Sequence, residues 1–362
     1  MKFSNIFRRE DYTTISLHPF VHLLPSIRTA SICMLVFLLP HVAMLFVTAS
    51  YASLAIVAAT VAGALLAEGV FRAAKCTARS AWLIALIQGI MVGLLLPSPF
   101  PPVEAFFLIL VTMLLCKYAF GGFAASWVNT VAVTVALAYF LNAPAFPPYL
   151  LTNADLQNRN AALVLIQGGQ VPLIPQDAAV TAFLNRTVFS SFGVEIPDGY
   201  VTLFWDSGAA IPAFRFNTIT LLTSLIFFAF ELADILIPAV FIGTYVLLVR
   251  FVSGFFIASD MVLYGDIFLA LLTSGVLFST LFLLQWYGTT PQTLWGKALY
   301  GFTAGVCAFL IIGCGMSPVG YVFVVLLMNL FSVMVQVIEQ RHVRRRLAKV
   351  LLPQVNALQE GV

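Results

Sequence analysis

Apolar stretches of about 18 to 22 residues recur from one end of the chain to the other, each long enough to cross a bilayer as a helix. Nothing else in the sequence restricts its fold as strongly. Hydrophobic residues make up 61% of the 362 positions and charged residues 9%, and the mean hydropathy is +1.00. So little polar surface cannot cover a soluble domain of this length. The fold class expected is therefore an all-α integral membrane protein.

The apolar segments fall at roughly 29–48, 52–71, 80–96, 104–120 and 124–142, and again at 215–232, 235–256, 264–285, 297–315 and 318–338. The chain then divides into an N-terminal segment (1–28), a first five-helix half (29–142), a long loop (143–214), a second five-helix half (215–340) and a basic tail (341–362). Ten crossings put both termini on one side. Fourteen of the 18 lysines and arginines fall on that side, so the positive-inside rule predicts cytoplasmic termini and an external loop. The loop holds a predicted hairpin, 162–166 with 171–174, around Gln167-Gly168-Gly169. The N-terminus is too polar to read as a cleaved signal peptide.

Two segments are interrupted by proline, at Pro97–Pro102 and at Ser317-Pro318. Five helices per half is an odd number, so equivalent halves would have to be inverted, with broken helices meeting at mid-membrane around a central site.

Hydrolytic, nucleotide-binding and metal motifs are absent, and the composition gives no basis for nucleic-acid binding. The cysteines (Cys33, Cys76, Cys116, Cys307, Cys314) show no zinc or disulfide spacing and read as small buried hydrophobes. Glu68, inside segment 2, is expected to reach the interface towards the basic turn Arg72–Arg79. His41 reads as a packed histidine. Glu231 and Asp234 read as interfacial. In the stretch Lys117–Gly122, KYAFGG, a lysine beside paired glycines either holds an anion such as phosphate or marks a tight turn. Asp206-Ser207-Gly208-Ala209-Ala210 reads as a small-residue loop packed against the membrane domain.

An ordered set of stretches resembles a known family: 18–36 (HPFVHLLPSIRTASICMLV), 93–102 (GLLLPSPFPP), KYAFGG followed by Asn129, 234–244 (DILIPAVFIGT) and 319–336 (VGYVFVVLLMNLFSVMVQ). They are similar to the D subunit of Rnf-type electron-transport complexes and to its relative, the B subunit of sodium-pumping NADH:quinone oxidoreductases. The resemblance implies a urea-transporter-like subunit in the bacterial inner membrane. It would carry a flavin, FMN or riboflavin, and pass electrons coupled to sodium or proton movement, with the other complex subunits as partners. It further implies that Lys117, Gly121, Gly122 and Asn129 line a pocket for a flavin or quinone, while Ser207, Gly208, Ala209 and Ala210 border a second site.

Three departures stand out. The family usually attaches FMN to the threonine of a Ser-Gly-Ala-Thr motif, and here that position is Ala210; the aspartate usual before the motif is Phe204. A family Thr-Asp-Pro turn is replaced by Leu284-Gln285-Trp286-Tyr287, and the Asn-Pro of the glycine motif is Asn129-Thr130. The expected flavin is therefore non-covalent. A solute channel on the same fold and a non-redox scaffold subunit are the alternatives.

Overall fold

The computed structural model describes residues 26–74, 81–122, 128–147, 172–193, 195–230, 233–253, 266–286, 289–313, 317 and 319–360. Its regular elements are helices. α1 (Ile27–Val47) starts at Ser26, whose Oγ accepts the Thr29 amide at 3.2 Å. α2 (Tyr51–Ala74) and α3 (Ala81–Leu95) follow, and α3 stops at Pro97. α4 (Pro102–Met113) begins at a proline, which needs no amide partner in a first turn. It widens at its far end into one π turn, Leu114–Tyr118. α5 is Thr130–Leu141.

The excursion from 143 to 214 was expected as a loop. Its described part contains two short helices, α6 (Asp177–Thr187) and α7 (Tyr200–Trp205). A buried carboxylate joins them: Asp177 accepts the amides of Gly199 and Thr202, each at 2.7 Å, and the Thr202 hydroxyl at 2.5 Å. The predicted hairpin lies almost wholly outside the described residues; Pro172–Ile174 are described and form no strand.

The second set runs α8 (Asn217–Ala229), α9 (Leu236–Phe251), α10 (Ile267–Leu272), α11 (Val276–Phe282), α12 (Leu294–Ile312) and α13 (Gly320–Glu360). The eighth apolar segment, expected as one helix, breaks at Thr273–Gly275. Gly275 has a φ of +69°, and a Cβ there would overlap the Phe214 ring. The break lets that aromatic ring reach the backbone. α13 continues without interruption through the basic tail for 41 residues, about 61 Å at helical rise.

Among the described residues, four helices are long and apolar enough to cross a membrane: Ile27–Val47, Tyr51–Ala74, Leu294–Ile312 and Gly320–Arg345. Four shorter apolar helices, α3, α5, α8 and α9, pack among them. Close packing depends on missing side chains. A Cβ on Gly89 or Gly93 would come within 2.7 and 2.6 Å of the Val61 and Val57 Cα atoms of α2. On α12, Gly301 and Gly305 do the same against the backbone of α9, 2.9 Å from the Ile237 and Phe241 carbonyls. Small residues substitute for a hydrophobic driving force between helices in lipid, where close dispersion contact decides association.

In the first set α1 packs on α3, α2 on α3 and α4, and α4 on α5. In the second, α8 packs on α11, α9 on α12, and α12 on α13, and α5 meets α13 between the sets.

Candidate functional site

Among the described residues, two of the buried polar centres adjoin residues singled out in the sequence. The first belongs to α2, α3 and the π turn. Glu68 is 0% exposed and accepts the Tyr118 hydroxyl at 2.5 Å. Lys117 is 1% exposed, donates to Gln88 Oε1 at 2.9 Å and stands 4.8 Å from the centre of the Tyr118 ring. Phe71 stacks on the Tyr118 ring, centroids 4.6 Å apart. The π turn rotates consecutive residues Lys117 and Tyr118 so that both face inwards, which a regular helix end would not do; such bulges recur at functional sites. Glu68 is thus buried inside the protein; residues 75–80 of the basic turn it was expected to reach lie outside the described residues. Tyr118 links the two buried charges, its hydroxyl on Glu68 and its ring facing Lys117, and opposite charges brought close in an apolar bundle offset part of each other's burial cost.

The glycine pair forms a tight turn, one of the two readings of the sequence. Gly121 and Gly122 have φ of 106° and 102°, but their amides are spent inside the turn, on the Tyr118 carbonyl at 3.1 Å and the Lys117 carbonyl at 3.0 Å. The turn gives backbone room, with the Phe71 ring edge 3.4 Å from a Cβ at Gly122. It does not give an anion cradle of free N–H groups, and Lys117 is not free to hold a phosphate.

The second centre is the contact between the two sets. Asn129 caps α5: its Oδ1 accepts the Val131 amide at 3.0 Å, and its Nδ2 donates to the Leu283 carbonyl at the end of α11, 3.1 Å away. Tyr300 of α12 donates to the neighbouring Leu284 carbonyl at 3.1 Å. Thr130, beside Asn129, is buried with an unpartnered hydroxyl, and Thr134 one turn on pairs with Thr112 of α4 at 2.7 Å. A half-length helix thus begins at a buried asparagine facing the carbonyl end of another. Trp286, in place of a carboxylate, is buried beside this point.

Ser207–Ala210 lies elsewhere. Ser207 donates to the Phe214 carbonyl at 3.0 Å, the Ser98 amide donates to the Ala210 carbonyl at 2.9 Å, and Arg215 holds Asp206 through Nε at 2.9 Å and Nη2 at 2.8 Å. Arg215 also donates to Ser50 at 2.9 Å. The loop is sewn to the membrane helices, in agreement with the packing expected of it. Phe204 turns its ring to Phe268 at 6.0 Å.

At the Asp234 position, Lys297 forms an ion pair and Gln285 both accepts from the Asp234 amide and donates to its carbonyl. Burial acts to raise the Asp234 carboxyl, but the Lys297 hydrogen bond, the Leu236 amide and the Lys297 charge outweigh it and hold the group below its usual value. Glu231 lies outside the described residues. His41 is fully buried, as read, with Nε2 3.0 Å from the Thr220 hydroxyl. Cys33, Cys116 and Cys307 are free and half-buried, more open than the sequence implied, and the other two cysteines lie outside the described residues.

Sequence reasoning missed Gln88, Tyr118, Thr130, Tyr321 and Asn329. Gln88 and Asn329 carried a signal, since each is a lone amide in an apolar run. Of the residues the family resemblance points to for a flavin, Gly121, Gly122 and Asn129 border residues 123–127, which lie outside the described residues. A phosphodiester at Ala210 is excluded, because its side chain has no hydroxyl to form it.

No curated protein matches the chain at a significant level. A sequence profile matches residues 14–344, which span the described helices except the end of α13. On that match, which covers most of its length, the chain belongs to the NQR2, RnfD, RnfE family.

Proposed function

We propose that the chain is the membrane subunit of an ion-coupled electron-transport complex of the Rnf type. The observation that carries this reading is the family match over residues 14–344, a family of membrane subunits of electron-transport complexes. The proposed architecture is ten spans in two inverted sets, with both termini on the cytoplasmic side of the inner membrane. The recurrence of first-on-third, second-on-fourth and fourth-on-fifth packing in both sets supports it. The lysine and arginine distribution supports the orientation.

In this reading FMN or riboflavin binds without a covalent bond, with Gly121, Gly122 and Asn129 bordering it and quinone as a further occupant of the same side. The flavin, when bound, supplies one- and two-electron chemistry to partner subunits. The chain's own contribution is positional. Asn129 fixes the start of α5 against α11, Thr130 offers a hydroxyl, and the Glu68–Tyr118–Lys117–Gln88 cluster keeps the π turn in place behind the glycines. Ser207–Ala210 serves as a loop anchor.

Ala210 favours a second reading, a solute channel or a scaffold subunit on the same fold. The test is a visible spectrum of the purified chain before and after acid precipitation, together with co-purification of the other complex subunits. Yellow colour released to the supernatant and stoichiometric partners are the expected result. A colourless chain reconstituted with flavin to no effect, and purified without partners, would leave the channel.

A further inference from the structure

The 143–214 excursion encloses a cavity that no polar group enters. α6, the turn that follows it and α7 surround about 290 Å³, walled by Leu184, Val188, Phe189, Ile196, Val201 and Phe204. That is close to the lower end of small-ligand pockets, about 300 Å³. The wall presents no polar surface. Thr181, which also lines it, turns its hydroxyl to Asp177 Oδ1 at 3.2 Å.

Polar ties hold the walls at both ends of α6. At the first turn Asp177 collects the Gly199 and Thr202 amides, each at 2.7 Å. Further along, Asn185 donates to the Ile196 carbonyl and accepts the Ile196 amide, both at 2.9 Å. The two ties are about 12 Å apart along the helix. The apolar side chains between them cannot close on one another without breaking a paired hydrogen bond. A cavity kept open in this way leaves its lining short of dispersion contacts, which an occupant restores.

The chemistry of the wall selects that occupant. A carbonyl, amine or phosphate inside would give up its hydrogen bonds to water and find none in exchange. The buried part of the ligand is therefore hydrocarbon.

A source of hydrocarbon adjoins the cavity. Asn217, at the start of α8, donates to the Leu203 carbonyl of α7 at 3.0 Å and to the Leu272 carbonyl of α10 at 2.9 Å. These bonds set α7 against the apolar helices. Phe268 of α10, 51% exposed, meets the rings of Tyr200 and Phe204 edge-on, both at 6.0 Å. Tyr200 and Phe204 line the cavity, so the outward face of α10 continues into it through touching rings. Trp205, next to Phe204, and Phe183, next to Leu184, are also more than half exposed. Apolar surface of this extent marks a contact with membrane, and tryptophan favours the membrane–water interface.

We propose that the α6–α7 cavity takes one acyl chain of a membrane phospholipid, which pins the excursion to the bilayer. The chain passes from one hydrocarbon setting to another, so desolvation contributes little and the gain is the packing that fills the space. The headgroup stays outside, because nothing in the wall can pair with it. The inference depends on neither a flavin nor partner subunits.

The test uses the full chain in nanodiscs of a phospholipid that carries a diazirine at the end of one acyl chain, with adducts mapped after irradiation. Leu184, Phe189 and Phe204 should be labelled within about threefold of Phe302, which is exposed on α12. The same diazirine placed on the headgroup should label those three at least about tenfold less. Equal labelling by the two probes would mean that lipid only lies on the surface, and would overturn the proposal. So would a bare Leu184, Phe189 and Phe204 beside a labelled Phe302, which would give the cavity to another hydrocarbon.

Leu184→Trp fills the space from within. It should cut adducts on Phe189 and Phe204 at least about fivefold, with Phe302 labelling and the thermal midpoint in detergent unchanged. Undiminished adducts in that variant would overturn insertion of the chain, and the wild-type comparison of the two probes decides the matter if the variant does not fold.

Discussion

Glu68 and Lys117 show how one residue changes meaning when its surroundings change. In an apolar sequence each is an isolated charge, and the cheapest escape is the membrane surface. Folding offers another, because the Tyr118 hydroxyl donates to Glu68 while Lys117 donates to Gln88 and faces the Tyr118 ring. Removing one member strands the other. Lys117→Met is expected to destabilise by about 3–5 kcal/mol, and Lys117→Met combined with Glu68→Gln by clearly less, measured as thermal midpoints in detergent. Equal losses would mean the two do not share a cluster. Gly275→Ala tests a different constraint. The new methyl overlaps Phe214 and the φ of +69° disfavours any side chain, so a loss of about 1–3 kcal/mol is expected, and Phe214→Leu in the same chain should recover part of it.

Whole elements are held by their ends and by close crossings. α9 starts at Asp234, where the Lys297 ion pair ties it to α12. The Asp234 carboxyl is held below its ordinary value of 3.8 despite burial. A depressed carboxyl contributes stability that is present above the unfolded value and lost as pH falls through the folded one. Acidification below about pH 4 should therefore lower the wild-type midpoint more steeply than that of Asp234→Asn, and parallel curves would show that the pair contributes nothing. The α9–α12 crossing depends on Gly301 and Gly305. Gly305→Leu should push the helices apart and lower detergent-solubilised yield sharply, while Gly243→Leu, with nothing within 4 Å, should be tolerated. The two readouts come from one gel-filtration comparison.

At the scale of the molecule, the two sets meet through few polar contacts, and Asn129 makes one of them while also capping α5. Asn129→Ala removes both, so a loss of about 1–3 kcal/mol is expected. Asn129→Asp keeps the cap but cannot donate to Leu283. If the contact between sets matters more than the cap, Asp will behave like Ala; if the cap dominates, Asp will retain most of the stability.

Much of this was legible along the chain. Apolar run length announced membrane helices, proline marked the ends of α3 and the start of α4, and the ordered motifs identified the family, because these signals depend only on neighbours in sequence. The rest depends on which residues meet across the fold. The break at Gly275 exists for Phe214, 61 positions earlier; the helices of the 143–214 excursion exist because one carboxylate, Asp177, collects amides from a distant turn. The burial of Lys117 with Glu68, and the orphaned Asn329, belong to the same class. A sequence fixes how greasy a segment is and where it cannot stay helical, whereas the partner of a buried polar group is set by packing, and only the tertiary structure decides that.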